Sequence, residues 1–152
     1  MPLDPTLLRE SFQLAIERAP DLTARFYDTL FRNKPELAAL FAHRPRATQE
    51  QMLGEALSAV IDHLEDAPWL AHQLAALGAR HAEYGVTRVM YDDVGVALLQ
   101  TLAASTGDAW TREVEGQWKL AYGAICEMMW AGDAKQTDAR ETRPISAASS
   151  TV

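Results

Sequence analysis

Five side chains with chemistry to offer sit within helically patterned stretches of this chain: Tyr27, Gln49, His81, Tyr91 and Cys126. His81 is the most telling. Leu70, Leu74, Leu77 and His81 follow an i, i+4, i+7, i+11 pattern, which puts an imidazole at the end of an apolar helical stripe. Gly85 follows one turn later and ends the helix. A buried imidazole needs a partner for each ring nitrogen. Two readings fit this stretch alone. One is a core histidine bonded to backbone; the other is a ligand to a metal or to haem iron. Tyr27 lies on or beside the apolar face of its helix, as a boundary tyrosine or as a buried phenol with a partner. Gln49 stands one turn before Leu53 on an apolar side, where a first-turn polar residue facing water is the simpler reading. Cys126 sits mid-helix and reads as a small packing residue rather than a reactive thiol.

These residues must be positioned by helices, because no segment alternates with period two over a useful length. Asp4-Pro5 opens the first helix as N-cap and first residue, and Leu8, Phe12 and Ile16 form its face. Pro20 ends it. Asp21 caps the second, which carries Leu22, Phe26, Tyr27 and Leu30. Pro35 starts a short helix, PELAALF, closed by Phe41. A loop with His43 and two arginines follows; His43 reads as solvated, or the loop as a basic edge for an anionic ligand. Thr48 and Gln51 predict a capping box, with the next helix running to about Asp66 and His63 exposed near its end. After Ala67-Pro68 comes the His81 helix, with His72 peripheral. Thr87 caps the next, with Asp92 and Asp93 in its first turn. Thr111 caps the last, whose face includes Val114, Trp118, Tyr122, Ile125 and Met129. The pattern stops near Gly132, so residues 1–133 are expected to form one domain and 134–152 a disordered tail.

Bulk properties narrow the function. The 152 residues suit one domain with a real core. A net charge of −7 argues against a nucleic-acid phosphate binder and against adsorption to anionic lipid. The single cysteine excludes an internal disulfide framework and fits a reducing compartment. There is no secretion signal at the N-terminus and no run long enough to span a membrane, so a cytoplasmic protein is expected. No GxGxxG, P-loop, CxxC, HExxH or GxSxG is present.

Taken in order, FYDTLFRNKPELAALF (26–41), the Gln49-to-Leu53 pair, LGARHAEYGV (77–86), Tyr91 and WKLAYG (118–123) resemble the globin family. The likeness is to bacterial single-domain haemoglobins and the globin domain of flavohaemoglobins, over roughly residues 6 to 133. The resemblance implies an all-α globin fold of about eight helices around a b-type haem. It implies His81 as the proximal iron ligand, its other N–H on the Leu77 carbonyl. Tyr27, Gln49 and Leu53 would then face the iron from the distal side, with Tyr27 and Gln49 donating to bound O2. Phe41, Val86, Tyr91 and Val94 would line the haem pocket, and Arg80 would meet a propionate or water. Tyr91 and Asp133 would stand behind His81. Asp133 replaces a glutamate common in bacterial relatives and is one methylene shorter, which weakens the case for any peroxidase-like role.

The function implied first is reversible O2 binding, with NO and CO as further ligands. The alternatives are nitric oxide dioxygenation with a separate flavin reductase, a haem-based sensor module, and a haem-free regulator of globin fold. The chain is expected as monomer or homodimer.

Overall fold

A computed structural model describes residues 2–141, with side chains through Asp133. Six α-helices and two short 3-10 helices make up the described fold. The helices are α1 (Pro5–Arg18), α2 (Leu22–Asn33), α3 (Arg46–Asp62), α4 (Ala67–Glu83), α5 (Arg88–Thr106) and α6 (Arg112–Glu141). One 3-10 helix, Pro35–Phe41, joins α2 to α3; the other, Gly107–Ala109, joins α5 to α6. This is the expected all-α fold: the resemblance implied about eight helices, and the described residues form six α-helices and two 3-10 helices.

Local signals explain most boundaries. Asp4 Oδ1 accepts from the Leu7 amide, and Pro5 occupies the first turn of α1. Asp66 does the same for the Trp69 amide at the start of α4, where Pro68 sits in the first turn. Thr111 Oγ1 accepts from the Val114 amide and caps α6. Gly85, at φ 85°, turns the chain after α4 in a conformation that side-chain-bearing residues avoid.

Several expectations need correction. α3 starts at Arg46 behind Pro45, with no side-chain cap, so the predicted Thr48–Gln51 capping box does not form. Pro45 ends the preceding loop and its carbonyl already receives the Gln49 amide, so the helix begins before Thr48 can cap it. α3 also ends earlier than expected, at Asp62. His63 is half-buried, not exposed: it stacks on Trp69 with ring centroids 3.6 Å apart, and its Nδ1 lies 2.8 Å from the Ala59 carbonyl. α1 stops at Arg18, before Pro20. Asp21 gives its carboxylate to Arg25 rather than to the backbone of α2. Asp92 and Asp93 fall beyond the first turn of α5, which begins at Arg88. Residues 134–141, expected in the tail, continue α6; the expected tail beyond them lies outside the described residues.

Two apolar clusters hold the helices. The larger joins α1, α2, α5 and α6 through Leu8, Phe12, Phe26, Leu30, Leu102 and Trp118. Buried hydroxyls of Thr101, Ser105 and Thr106 are satisfied by carbonyls four residues back, so α5 crosses this core without unpaired polar atoms. The smaller cluster joins α4 to α6 through Leu70, Leu74, Tyr91, Cys126 and Met129. There the backbones come very close. A Cβ on Gly78 would fall 1.9 Å from the Met129 carbonyl oxygen, and one on Gly132 would fall 1.8 Å from that of Ala75. α3 packs mainly on α2 and α1, gives Ile61 to the larger cluster and sets Val60 against the smaller one. Its apolar stripe, Leu53, Ala56, Leu57 and Val60, stays only half-buried.

Candidate functional site

The space between α3 and α4 is the site. Its walls are built from the stripes that the two helices turn toward each other, with α5 as the floor. An outer cleft of about 220 Å³ runs from Phe41 and Gln49 on one wall to Leu77 and His81 on the other. An inner one, about 160 Å³, continues past Leu53 and Leu57 to Tyr91 and Tyr122. Leu77, His81, Val86, Met90 and Val94 line both, so the two are halves of one apolar gap divided at the histidine.

His81 is held in one orientation. Its Nδ1 lies 2.9 Å from the Leu77 carbonyl, one turn back along α4. A carbonyl can only accept, so Nδ1 carries the proton and Nε2 keeps its lone pair. Burial pushes the imidazole pKa down; the Leu77 bond opposes this, and the neighbouring Arg80 guanidinium adds to it. The balance favours the neutral ring, the form that binds a metal. Tyr91 packs beside it, with ring centroids 6.4 Å apart. The Tyr91 carbonyl accepts from the Tyr122 hydroxyl, which ties α5 to α6 behind the histidine. Burial raises the Tyr91 phenol to about 12, and the Asp133 carboxylate adds to the rise, so Asp133 stands near enough to be felt.

Across the gap, Gln49 lines the outer cleft directly. Tyr27 stands behind it. It is 5% exposed, and its ring meets Phe26 and Phe41 edge-on at 5.1 and 5.4 Å. Its hydroxyl donates to the Gln49 carbonyl at 3.3 Å, a long bond. Burial, and then the Glu50 charge, raise its pKa to about 12, although Arg46 pulls the other way. The phenol is therefore a neutral donor at physiological pH.

The rim is basic. Arg44 Nη2 donates to the Tyr84 hydroxyl at 3.1 Å and Nη1 points at Met52 Sδ, also at 3.1 Å. His43 stacks on Tyr84, centroids 5.5 Å apart. Arg80 lines the same mouth. The residues named from sequence thus fall into place unevenly. Phe41, Gln49, Arg80, Val86 and Val94 share the outer cleft with His81, and Leu53 and Tyr91 share the inner one. Tyr27 lines a smaller adjoining cavity instead. Met52, Tyr84 and Met90 were missed as lining residues. Tyr84 lies three residues past His81, which is the spacing that could have placed it on the same rim.

Among the described residues no three His, Cys, Asp or Glu side chains gather as metal ligands. A metal held by His81 must therefore bring most of its own donors, as haem iron does with its pyrrole nitrogens. An apolar gap with one neutral imidazole and a basic rim fits such a group: apolar walls for a flat macrocycle, cations for its carboxylates.

The family profile described as Globin matches residues 24–129, most of the chain. Curated relatives include the flavohemoprotein of Vibrio cholerae, 30% identical over 124 residues. That match covers 80% of this chain and 32% of the relative. The flavohemoprotein of Rhizobium meliloti is 32% identical over 120 residues, covering 78% of this chain and 30% of its own. The chain thus spans about a third of the length of these relatives. Among solved structures, an engineered carbene transferase made from a candidate nitric oxide dioxygenase of Rhodothermus marinus superposes with a TM-score of 0.79. It shares 22% identity, and the match covers 92% of this chain and 99% of that one. Helices, cleft and family profile agree: the chain belongs to the globin family.

Proposed function

We propose that this globin binds haem b through His81 and holds O2 reversibly on the side of the cleft that Gln49 and Tyr27 face. Haem, when bound, supplies an iron coordination position for a diatomic gas and makes held O2 more polar than held CO. The carrying observation is the His81 ring, held at Nδ1 by the Leu77 carbonyl and lining both halves of the gap, which leaves Nε2 to serve as the ligating nitrogen.

The chain's own residues do the rest. Leu77 fixes the tautomer and raises the basicity of the ligating nitrogen. The apolar stripes of α3 and α4 exclude water, so any polar contact inside is stronger than it would be in solvent. Gln49 offers its amide N–H to the gas. Tyr27 offers its hydroxyl, since the long bond to the Gln49 carbonyl is readily exchanged for a better acceptor. Arg44 and Arg80 line the mouth of the cleft and would pair with the haem carboxylates.

Hemin titration followed by the Soret band tests the first half. One equivalent should bind, and His81→Ala should lose it far faster than wild type. Unchanged hemin loss would refute the ligand role. For the second half, Tyr27→Phe should speed O2 release by about tenfold and CO release much less, the worth of one charge-assisted hydrogen bond. Equal effects on both gases would remove Tyr27 from that role.

A second reading draws on the relatives, which carry the name flavohemoprotein. Nitric oxide dioxygenation in the same cleft would need electrons from a flavin reductase. Nitric oxide consumption sustained over many turnovers with an added flavin reductase favours this reading. A single stoichiometric turnover favours storage or delivery.

A further inference from the structure

A strap of side chains crosses the mouth of the outer cleft, and one end of it is a methionine sulfur. Arg44, in the loop before α3, donates through Nη1 to Met52 Sδ and through Nη2 to the Tyr84 hydroxyl, each at 3.1 Å. Met52 belongs to α3, and Tyr84 stands just past the end of α4, stacked on His43. All four side chains line the outer cleft. We propose that Met52 is an oxidation site whose sulfoxide draws Arg44 off Tyr84 and loosens the mouth of the cleft. The consequence for haem rests on the haem-globin reading above; the oxidation site and the strap do not.

Met52 is the methionine that an oxidant reaches. It is 44% exposed, whereas Met90 and Met128 are half-buried and Met129 is buried. Met90 also has its sulfur engaged by the Thr87 amide at 3.4 Å. The reaction moves one oxygen. Hydrogen peroxide gives an oxygen atom to Sδ, its O–O bond breaks, and the second oxygen leaves as water. The sulfur supplies the two electrons of the new S–O bond and is oxidised to the sulfoxide. Methionine sulfoxide reductase with a thiol donor returns the thioether, so the change is reversible.

The bonding around Arg44 turns this modification into a switch. A thioether is a weak acceptor, and a sulfoxide is polar, with an oxygen that accepts strongly from a guanidinium. Both present partners of Arg44 are neutral, so the new oxygen competes well for its N–H groups. That oxygen also needs room between Sδ and a guanidinium nitrogen now 3.1 Å away, so the side chains must re-aim. Arg44 follows the stronger acceptor on α3. Tyr84, 50% exposed, then loses the hydroxyl bond and the guanidinium that lies 5.8 Å over its ring, and keeps its stack on His43. The tie between the α3 wall and the end of the α4 wall is cut beside His81.

Peroxide treatment of the full-length chain tests the proposal. Mass spectrometry of the digest should show Met52 gaining one oxygen before Met90, Met128 and Met129. The NMR signals of the Tyr84 ring should move with that oxidation and return when methionine sulfoxide reductase and dithiothreitol are added. Loaded with hemin after treatment, the oxidised chain should pass it to excess apomyoglobin about threefold faster than the untreated chain, the effect of one hydrogen bond of modest net worth. Treated Met52→Leu should match untreated Met52→Leu in both measurements. Tyr84→Phe, which lacks the hydroxyl, should lose hemin at one rate before and after treatment. Oxygen entering Met90 first, Tyr84 signals unmoved by oxidised Met52, hemin held as tightly after oxidation as before, or a treated Met52→Leu or Tyr84→Phe that speeds up as wild type does, would each overturn the proposal. A chain that takes up no hemin sinks the haem-globin reading instead, and the Tyr84 signals still decide whether the strap opens.

Discussion

The two long faces of α4 are packed in opposite ways. One lies on α6 so closely that Gly78 and Gly132 each abut a backbone carbonyl of the other helix. The other looks across an open gap at α3, whose leucines remain half-buried. The difference separates two jobs. The α4–α6 contact fixes the position of His81, because the glycine contact lies within one turn of it. The α3–α4 gap is held open by packing α3 on α2 and α1 instead. A site that must admit a flat group between two helices needs one of them anchored from behind and the other propped from the side.

The sharpest way to break this contrast is to add a side chain where the backbones meet. Gly78→Val would place its Cβ 1.9 Å from the Met129 carbonyl oxygen, which rigid backbone cannot yield. The expected loss is about 3 kcal/mol or more in urea unfolding. Hemin retention should fall with it, because α4 must move off α6 and carry His81 along. A variant with wild-type stability would mean that the close approach does not exist in solution.

A matched pair of truncations comes next. Leu74 borders the inner cleft as Leu53 does, but it is 5% exposed and packs with Cys126 and Met129 of α6, so Leu74→Ala should cost roughly 2–4 kcal/mol even without hemin. Leu53 borders the gap and is only half-buried against the main core, so Leu53→Ala should cost less in the hemin-free chain, about 1–2 kcal/mol. Added hemin should widen the Leu53→Ala penalty, since a ligand that packs on Leu53 stabilises only the folded state. Equal costs before hemin is added would show that α3 closes onto α4 when the gap has no occupant.

The anchored half was far more legible in the sequence than the propped half. The leucine row of α4 and the Val114-to-Met129 face of α6 follow from 3.6-residue spacing, and so does His81 at the end of its row. The Nδ1–Leu77 bond follows too, because a carbonyl one turn back is always in reach near a helix end. The α3 side is harder for a physical reason. Its apolar stripe has the same periodicity whether it faces a neighbouring helix or an empty space, so spacing cannot reveal the gap. Tyr27 shows the limit well. Periodicity put it on the buried side of α2, but only the fold shows that its hydroxyl meets the Gln49 backbone and that its ring walls a separate cavity. The Arg44–Tyr84 contact joins residues forty apart and leaves no pattern in either segment.

Alkaline titration sharpens the contrast by a smaller amount. The Tyr27 phenol has its folded pKa raised from 10.0 to about 12, chiefly by burial. Tyr122, under α5, is raised as well, again mainly by burial. A raised pKa means that the folded chain holds a proton the unfolded chain releases. The stabilisation is fully present below pH 10 and is lost as pH climbs through the folded value. The phenols' share of the unfolding free energy should therefore be constant below pH 10 and fall between pH 10 and 12, by about 1.4 kcal/mol per unit for each phenol kept neutral. Tyr27→Phe should make that slope shallower and leave the Tyr122 contribution in place. A slope identical to wild type would mean that water reaches Tyr27 through the open side.

The smallest expected effect belongs to the prop itself. Arg46, the first residue of α3, reaches back to α2 through Asp28 at 2.7 Å and the Ala24 carbonyl at 2.7 Å, and it also binds Glu50 at 2.9 Å. Its side chain is 45% exposed, so solvent screens most of the Coulomb gain. Arg46→Gln should cost only about 0.5–1 kcal/mol at low salt. In about 1 M salt, where the Debye length shrinks to roughly 3 Å, the cost should nearly vanish. A loss as large as that of Leu74→Ala, or one insensitive to salt, would make this corner a structural anchor equal to the α4–α6 contact. The division between a fixed wall and a propped one would then have to be abandoned.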